Sequence, residues 1–186
     1  MDKNFLVSEQ RLSGILLIIS SIVFLVAATL FTIRVIWGLP MGGTPAYYRW
    51  ERGFVIAALL IAVLGLTLLK GILENVGDSI LAPMGLVLFF AAAVLAVVAE
   101  TVSLNRQEII YPTIVVFVIL AFLGQAFFGL ALLRTGLLPA WVGWTTVIWN
   151  LAWLVILPIN RPQDMYYPWL HYVVPLLIGI ALLIKR

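Results

Sequence analysis

The chain has no cysteine, a single histidine and very little charge. The missing cysteine excludes disulfides, cysteine-ligated zinc, iron–sulfur clusters and a thiol nucleophile. One histidine cannot hold a haem between two imidazoles or build a His-rich catalytic zinc site. No helix interior carries a lysine that could form a retinal-type Schiff base; Lys70 lies at a helix end. Asp2, Asp78 and Asp164 fall in the tail or in loops, so no paired aspartate serves intramembrane proteolysis. A Ser–His dyad, a His-Glu-x-x-His helix and the clustered Asp, His or Arg motifs of lipid phosphotransferases are missing too. The sequence therefore implies no metal and no cofactor, and it leans away from an enzyme.

Charged residues make up 10% of the chain, against about 25% in soluble domains. That is too little polar surface to coat a water-soluble globule. What is present instead is apolar: 64% hydrophobic residues and a mean hydropathy of +1.16. Crossing a hydrocarbon core near 30 Å thick takes about 20 apolar residues, and six such runs occupy most of the sequence. They cover residues 12–37, 50–69, 80–101, 112–133, 139–159 and 168–184, and the fold class is an all-α polytopic transmembrane bundle forming one domain over residues 1–186. The first run follows Lys3 and Arg11 like a signal peptide. Its apolar stretch is too long for a signal h-region, so it reads as a retained helix.

Pro83, Pro112, Pro139 and Pro168 each fall in or beside the first turn of a proposed helix, where a missing N–H costs little. Ala58 and Ala62 in the second run, and Ala92, Ala96 and Ala99 in the third, have the spacing that lets helix backbones approach. The short connections 70–79, 134–138 and 160–167 force antiparallel neighbours, an up-and-down hairpin bundle with both termini on one side. Lys3, Arg11, Lys70, Arg134, Lys185 and Arg186 fall on that side, against Arg34, Arg49, Arg52, Arg106 and Arg161 on the other. The bias is small, but with an aromatic crowd opposite (Trp37, Tyr47, Tyr48, Trp50, Tyr111, Tyr166, Tyr167, Trp169) it suggests cytoplasmic termini. The net charge of +3 comes without the basic runs of nucleic-acid-binding proteins. The partner it implies is the lipid bilayer, with no nucleic acid.

Polar groups gather on the face away from the termini. The loop 38–49, rich in glycine, proline and tyrosine, suits a cap over the bundle mouth. Glu100 closes a long apolar run and needs a partner there; Arg52, Arg34 and His171 are the candidates, with Glu51 and Arg106 nearby. Pro175 cannot donate to the carbonyl of His171, which leaves a freed carbonyl beside an imidazole. Gln125 and Asn150 fall near the midplane, with Thr146 one turn from Asn150, and can bond to one another as interhelical glue. Trp149 and Trp153 share a face that could stack on a flat apolar ligand.

The segment Gly-Leu-Leu-Pro-Ala-Trp-Val-Gly-Trp at 136–144, with the layout of the last three helices, resembles the bacterial multi-helix membrane proteins grouped as DUF4386. The resemblance implies a prokaryotic membrane setting and carries over no activity and no functional residue. Three functions are consistent with the sequence. The first is non-enzymatic binding of an apolar or amphipathic, lipid-like small molecule in the non-cytoplasmic mouth, or service as a subunit beside other membrane proteins. The second is a small permease lined by Gln125, Asn150 and Glu100. The third is an enzyme acting on a lipid or isoprenoid, with Glu100 or His171 as acid–base and Arg52 or Arg106 holding an anionic group.

Overall fold

A computed structural model describes residues 3–38, 44–102, 107–161 and 165–185. Among these residues there is no strand: the chain folds into helices α1 (Lys3–Phe31), α2 (Pro45–Asn75), α3 (Leu81–Val102), α4 (Gln107–Thr135), α5 (Ala140–Asn160) and α6 (Leu170–Ile184). Five spans are long and apolar enough to cross a membrane, and α6 is a shorter apolar helix. Consecutive helices run antiparallel, and the packing order around the bundle is α6, α1, α2, α3, α4, α5, with α5 and α6 touching only slightly. The fold class expected from hydropathy is the one observed.

Apolar side chains cannot drive helices together in lipid, so close backbone approach does that work. Ala58, Ala62, Ala92, Ala96 and Ala99 are all buried between helices. Glycines mark the tightest crossings. A methyl group added to Gly85 of α3 would sit 2.8 Å from the Gly124 carbonyl of α4, and one added to Gly179 of α6 would sit 2.8 Å from the Gly14 carbonyl of α1. A methyl on Gly143 of α5 would meet the side chain of Leu133 at 2.6 Å. Gly14, Gly85 and Gly143 are therefore contact points for a neighbouring helix.

Several boundaries differ from the hydropathy reading. The second helix starts at Pro45, capped by the Thr44 hydroxyl, which accepts from the Tyr47 amide. Tyr47, Tyr48 and Arg49 are thus helical, not part of a loop cap; residues 39–43 lie outside the described residues. Pro112 stands inside α4, in its second turn and not its first, because α4 already begins at Gln107. A further turn-like element was not foreseen: Thr32–Ile36 continues α1 as a π-helix, with the Trp37 amide donating to the Thr32 carbonyl at 3.0 Å.

The last helix is the departure that matters most. Its 15 residues span about 22 Å, short of a 30 Å hydrocarbon layer. Gln10 donates to the Leu182 carbonyl and Ser21 to the Tyr172 carbonyl, so the start of α6 lies level with about residue 23 of α1. The first helix and its π segment run on for roughly 20 Å beyond that level. On the far side of this step the neighbour of α1 is the non-helical stretch 165–169.

Candidate functional site

At the end of the bundle away from the termini, four charged side chains from three helices interlock. The Arg34 Nε and Nη2 groups donate to Glu51 Oε2 and Oε1 at 2.7 and 2.8 Å, the two-pronged geometry in which a guanidinium matches a carboxylate. Arg52 Nη2 lies 3.2 Å from Glu51 Oε1, and Arg52 Nη1 donates to Glu100 Oε2 at 2.7 Å. Arg52 thereby bridges two carboxylates, one from its own helix and one from α3. The two carboxylate side chains are almost fully buried, Glu51 at 2% and Glu100 at 3% exposure. Carboxylates so placed are tolerable only because guanidiniums and hydrogen bonds surround them.

Tyr48, three residues before Glu51 and four before Arg52, lies on the same face of α2. Its ring meets both cations, 4.9 Å from the Arg34 Cζ and 4.6 Å from the Arg52 Cζ, within cation–π range. The π segment brings Arg34 to this point, since the extra residue per turn rotates everything beyond Phe31 relative to a regular α-helix. The Tyr47 hydroxyl donates to the Leu30 carbonyl at 3.0 Å, in the turn where the bonding register changes. One short stretch of α2 thus braces both the charges and the bulge that presents them.

Next to these charges is a cavity of about 440 Å³ between α1, α2 and the stretch 165–169. Phe24, Ala27, Phe31, Val55, Tyr167 and Trp169 form its apolar walls, and Glu51 and Arg52 form its polar end. It occupies the space left beside α1 where α6 stops.

Of the candidate residues, Glu51, Arg52 and Glu100 are brought together, and the partner of Glu100 is Arg52. Arg106 lies outside the described residues. His171 is elsewhere: it is buried between Phe117 and Phe122, with ring centroids 5.2 and 4.2 Å away, and its Nδ1 has no hydrogen-bond partner. The carbonyl of His171, freed by Pro175, accepts from Gln125 Nε2 at 2.8 Å. The expected Gln125–Asn150 bond does not form, because Asn150 Nδ2 donates to the Thr146 carbonyl of its own helix. Gln125 Oε1 and Asn150 Oδ1 are each left without a hydrogen-bond partner. A freed carbonyl is the stronger claim on Gln125, since nothing else on α6 can satisfy it.

Trp149 and Trp153 share a face, yet they stand edge to face at 5.8 Å and 66°, with Trp169 closing a triangle at 6.5 and 6.3 Å. That arrangement packs the tryptophans against each other in place of the parallel platform expected for a flat ligand. Trp149 Nε1 donates to the Leu170 carbonyl at 3.0 Å, fastening α5 to the first turn of α6. Both rings also border a shallow apolar groove on the outer face of α5, together with Trp141, Trp144 and Ile148.

Sequence reasoning missed Arg34 as the partner of Glu51 and missed Phe24, Ala27, Phe31 and Val55 as cavity walls. Nothing in the sequence distinguishes those four from ordinary bundle residues. No protein-family model matches the chain, and no curated protein and no solved structure matches it.

Proposed function

We propose that this chain is a multi-pass protein of a prokaryotic inner membrane that binds an amphipathic small molecule, without catalysis, in the mouth of the bundle opposite its cytoplasmic termini. The observation that carries the reading is the cavity of about 440 Å³ whose apolar walls end on the Glu51–Arg52 charges. Its volume lies in the range of small-molecule sites, about 300–1,000 Å³, and such sites combine apolar walls with a few fixed polar groups. The ligand's apolar part lies against Phe24, Ala27 and Val55, and its polar part meets the charges linking α1, α2 and α3. Gln125 and Asn150, the residues of a permease route, do not line this cavity. The DUF4386 resemblance agrees with the membrane setting and adds nothing to the choice of ligand.

The test is native mass spectrometry of the protein extracted in mild detergent. A stoichiometric non-protein mass is expected on the wild-type chain and not on Ala28→Trp, which fills the cavity from α1. A bare chain in several detergents overturns the reading, and a defined complex with another polypeptide replaces it with a subunit role.

A further inference from the structure

One stripe of α1 carries Leu17, Ser20, Phe24, Ala27 and Phe31 at helical spacing, with Leu17 against Gly65 of α2 and Phe24 stacked on Tyr172 of α6. The first four are 0–4% exposed, whereas Phe31 is 43% exposed. Beyond the start of α6, Ala27 is still covered, in a cluster with Val55, Ala58 and Tyr172, and the cover gives out only at Phe31. The stretch 165–169 walls the cavity on the side where α6 would have continued, and the cavity is open beside Phe31.

The depth of that opening follows from the length of the first span, Ser8–Ile36, 29 residues. At 1.5 Å per residue this is about 43 Å, the thickness of a bilayer including its headgroup layers. The central 20 residues or so, near 12–32, then cross the hydrocarbon. Phe24, Ala27 and Phe31 stand at acyl-chain depth in the leaflet away from the termini, while Arg34 stands at headgroup depth. An opening at that depth admits molecules dissolved in the leaflet before it admits solutes from water.

Size and charge narrow the occupant. At about 30 Å³ per water-sized group, the cavity of about 440 Å³ takes on the order of 15 such groups, enough for a chain of about ten carbons with a small head but not for a two-chain phospholipid. Among the described residues, the charges at its polar end, Glu51 and Arg52, belong to a group of two guanidiniums and two carboxylates bound to one another. They offer hydrogen bonds but no net charge to balance an ionic head, and an unbalanced ion in a low-dielectric site is costly.

We propose that the cavity takes a single-chain lipid whose head carries no net charge, entering sideways from the leaflet opposite the termini. This rests on the binding function proposed above and adds the class and the source of the ligand.

The test titrates the full chain in mild detergent with monocaprin, decanoate, dioleoylphosphatidylcholine and the water-soluble amphiphile 2-phenylethanol, counting bound masses by native mass spectrometry. One equivalent of monocaprin is expected, about tenfold tighter than the anionic or the two-chain lipid. Ala28→Trp and Val55→Phe, which fill the cavity from different helices, are each expected to weaken it by about tenfold, and Ala152→Trp in the distant α5 groove is expected to leave it unchanged. Equal or tighter binding of decanoate or the two-chain lipid overturns the proposal, as does binding that neither filling variant weakens. If 2-phenylethanol binds in a manner sensitive to Ala28→Trp while no single-chain lipid does, the cavity binds a ligand but this inference fails. If nothing binds, both proposals fail together.

Discussion

Glu51 is the residue on which the charged site turns. Both its oxygens accept from Arg34, and one of them also faces Arg52. Removing one partner of a buried ion pair leaves the other uncompensated and costs about 3–5 kcal/mol, whereas a partly exposed partner can turn to solvent. Arg34→Met leaves the Glu51 carboxylate, 2% exposed, with only Arg52, which Glu100 shares, and is expected to destabilise by about 3 kcal/mol. Glu51→Gln strands Arg34, whose side chain is 24% exposed and can turn to solvent, and is expected to cost less. Detergent-induced unfolding followed by tryptophan fluorescence measures both, and the reverse order shows that the freed guanidinium, not the buried carboxylate, sets the cost. Sequence alone indicated that Glu100 needs a partner and offered Arg52 among three candidates. It could not choose, because the choice depends on which helices lie side by side.

At the scale of elements, α6 is fastened through its first turn. The carbonyls of Leu170, His171 and Tyr172 accept from Trp149 of α5, Gln125 of α4 and Ser21 of α1. Successive residues of a helix point about 100° apart, so three carbonyls in a row reach three different neighbours. Only the middle one lacks an amide donor, because of Pro175. Gln125→Leu is expected to cost about 1 kcal/mol, the usual scale of an interhelical polar contact in a membrane. In a Pro175→Ala background, where a backbone amide returns to the His171 carbonyl, the same change is expected to cost clearly less. A thermal-unfolding double-mutant cycle reads the difference, and strict additivity refutes the link between proline and glutamine. The proline and the freed carbonyl were both legible in the sequence. The donor was not, since Gln125 and His171 are 46 residues apart.

For the whole molecule, the up-and-down path puts Asn75 and Arg161 at opposite ends, and both are exposed. The absence of native cysteine makes single-cysteine labelling clean. With cytoplasmic termini, Arg161→Cys is expected to react with a membrane-impermeant maleimide in intact cells, and Asn75→Cys only after permeabilisation. The opposite pattern inverts the orientation, and labelling of both in intact cells contradicts the topology. The cavity belongs to this scale as well: it exists because one helix of the ring is shorter than its neighbour.

Hydropathy, proline position and small-residue spacing are local properties, and they were sufficient for the number of helices, their antiparallel order and the alanine contacts between them. A 20-residue apolar run in a bilayer has few alternatives to a helix, because every backbone polar group must be satisfied within it. Three features were decided only in three dimensions: the π segment that presents Arg34, the pairing of Gln125 with α6 in place of Asn150, and the step beside α1 that becomes the cavity. Each depends on the axial and rotational offset between helices. That offset is fixed by glycine crossings and by where one helix stops relative to its neighbour, and hydropathy carries no record of either.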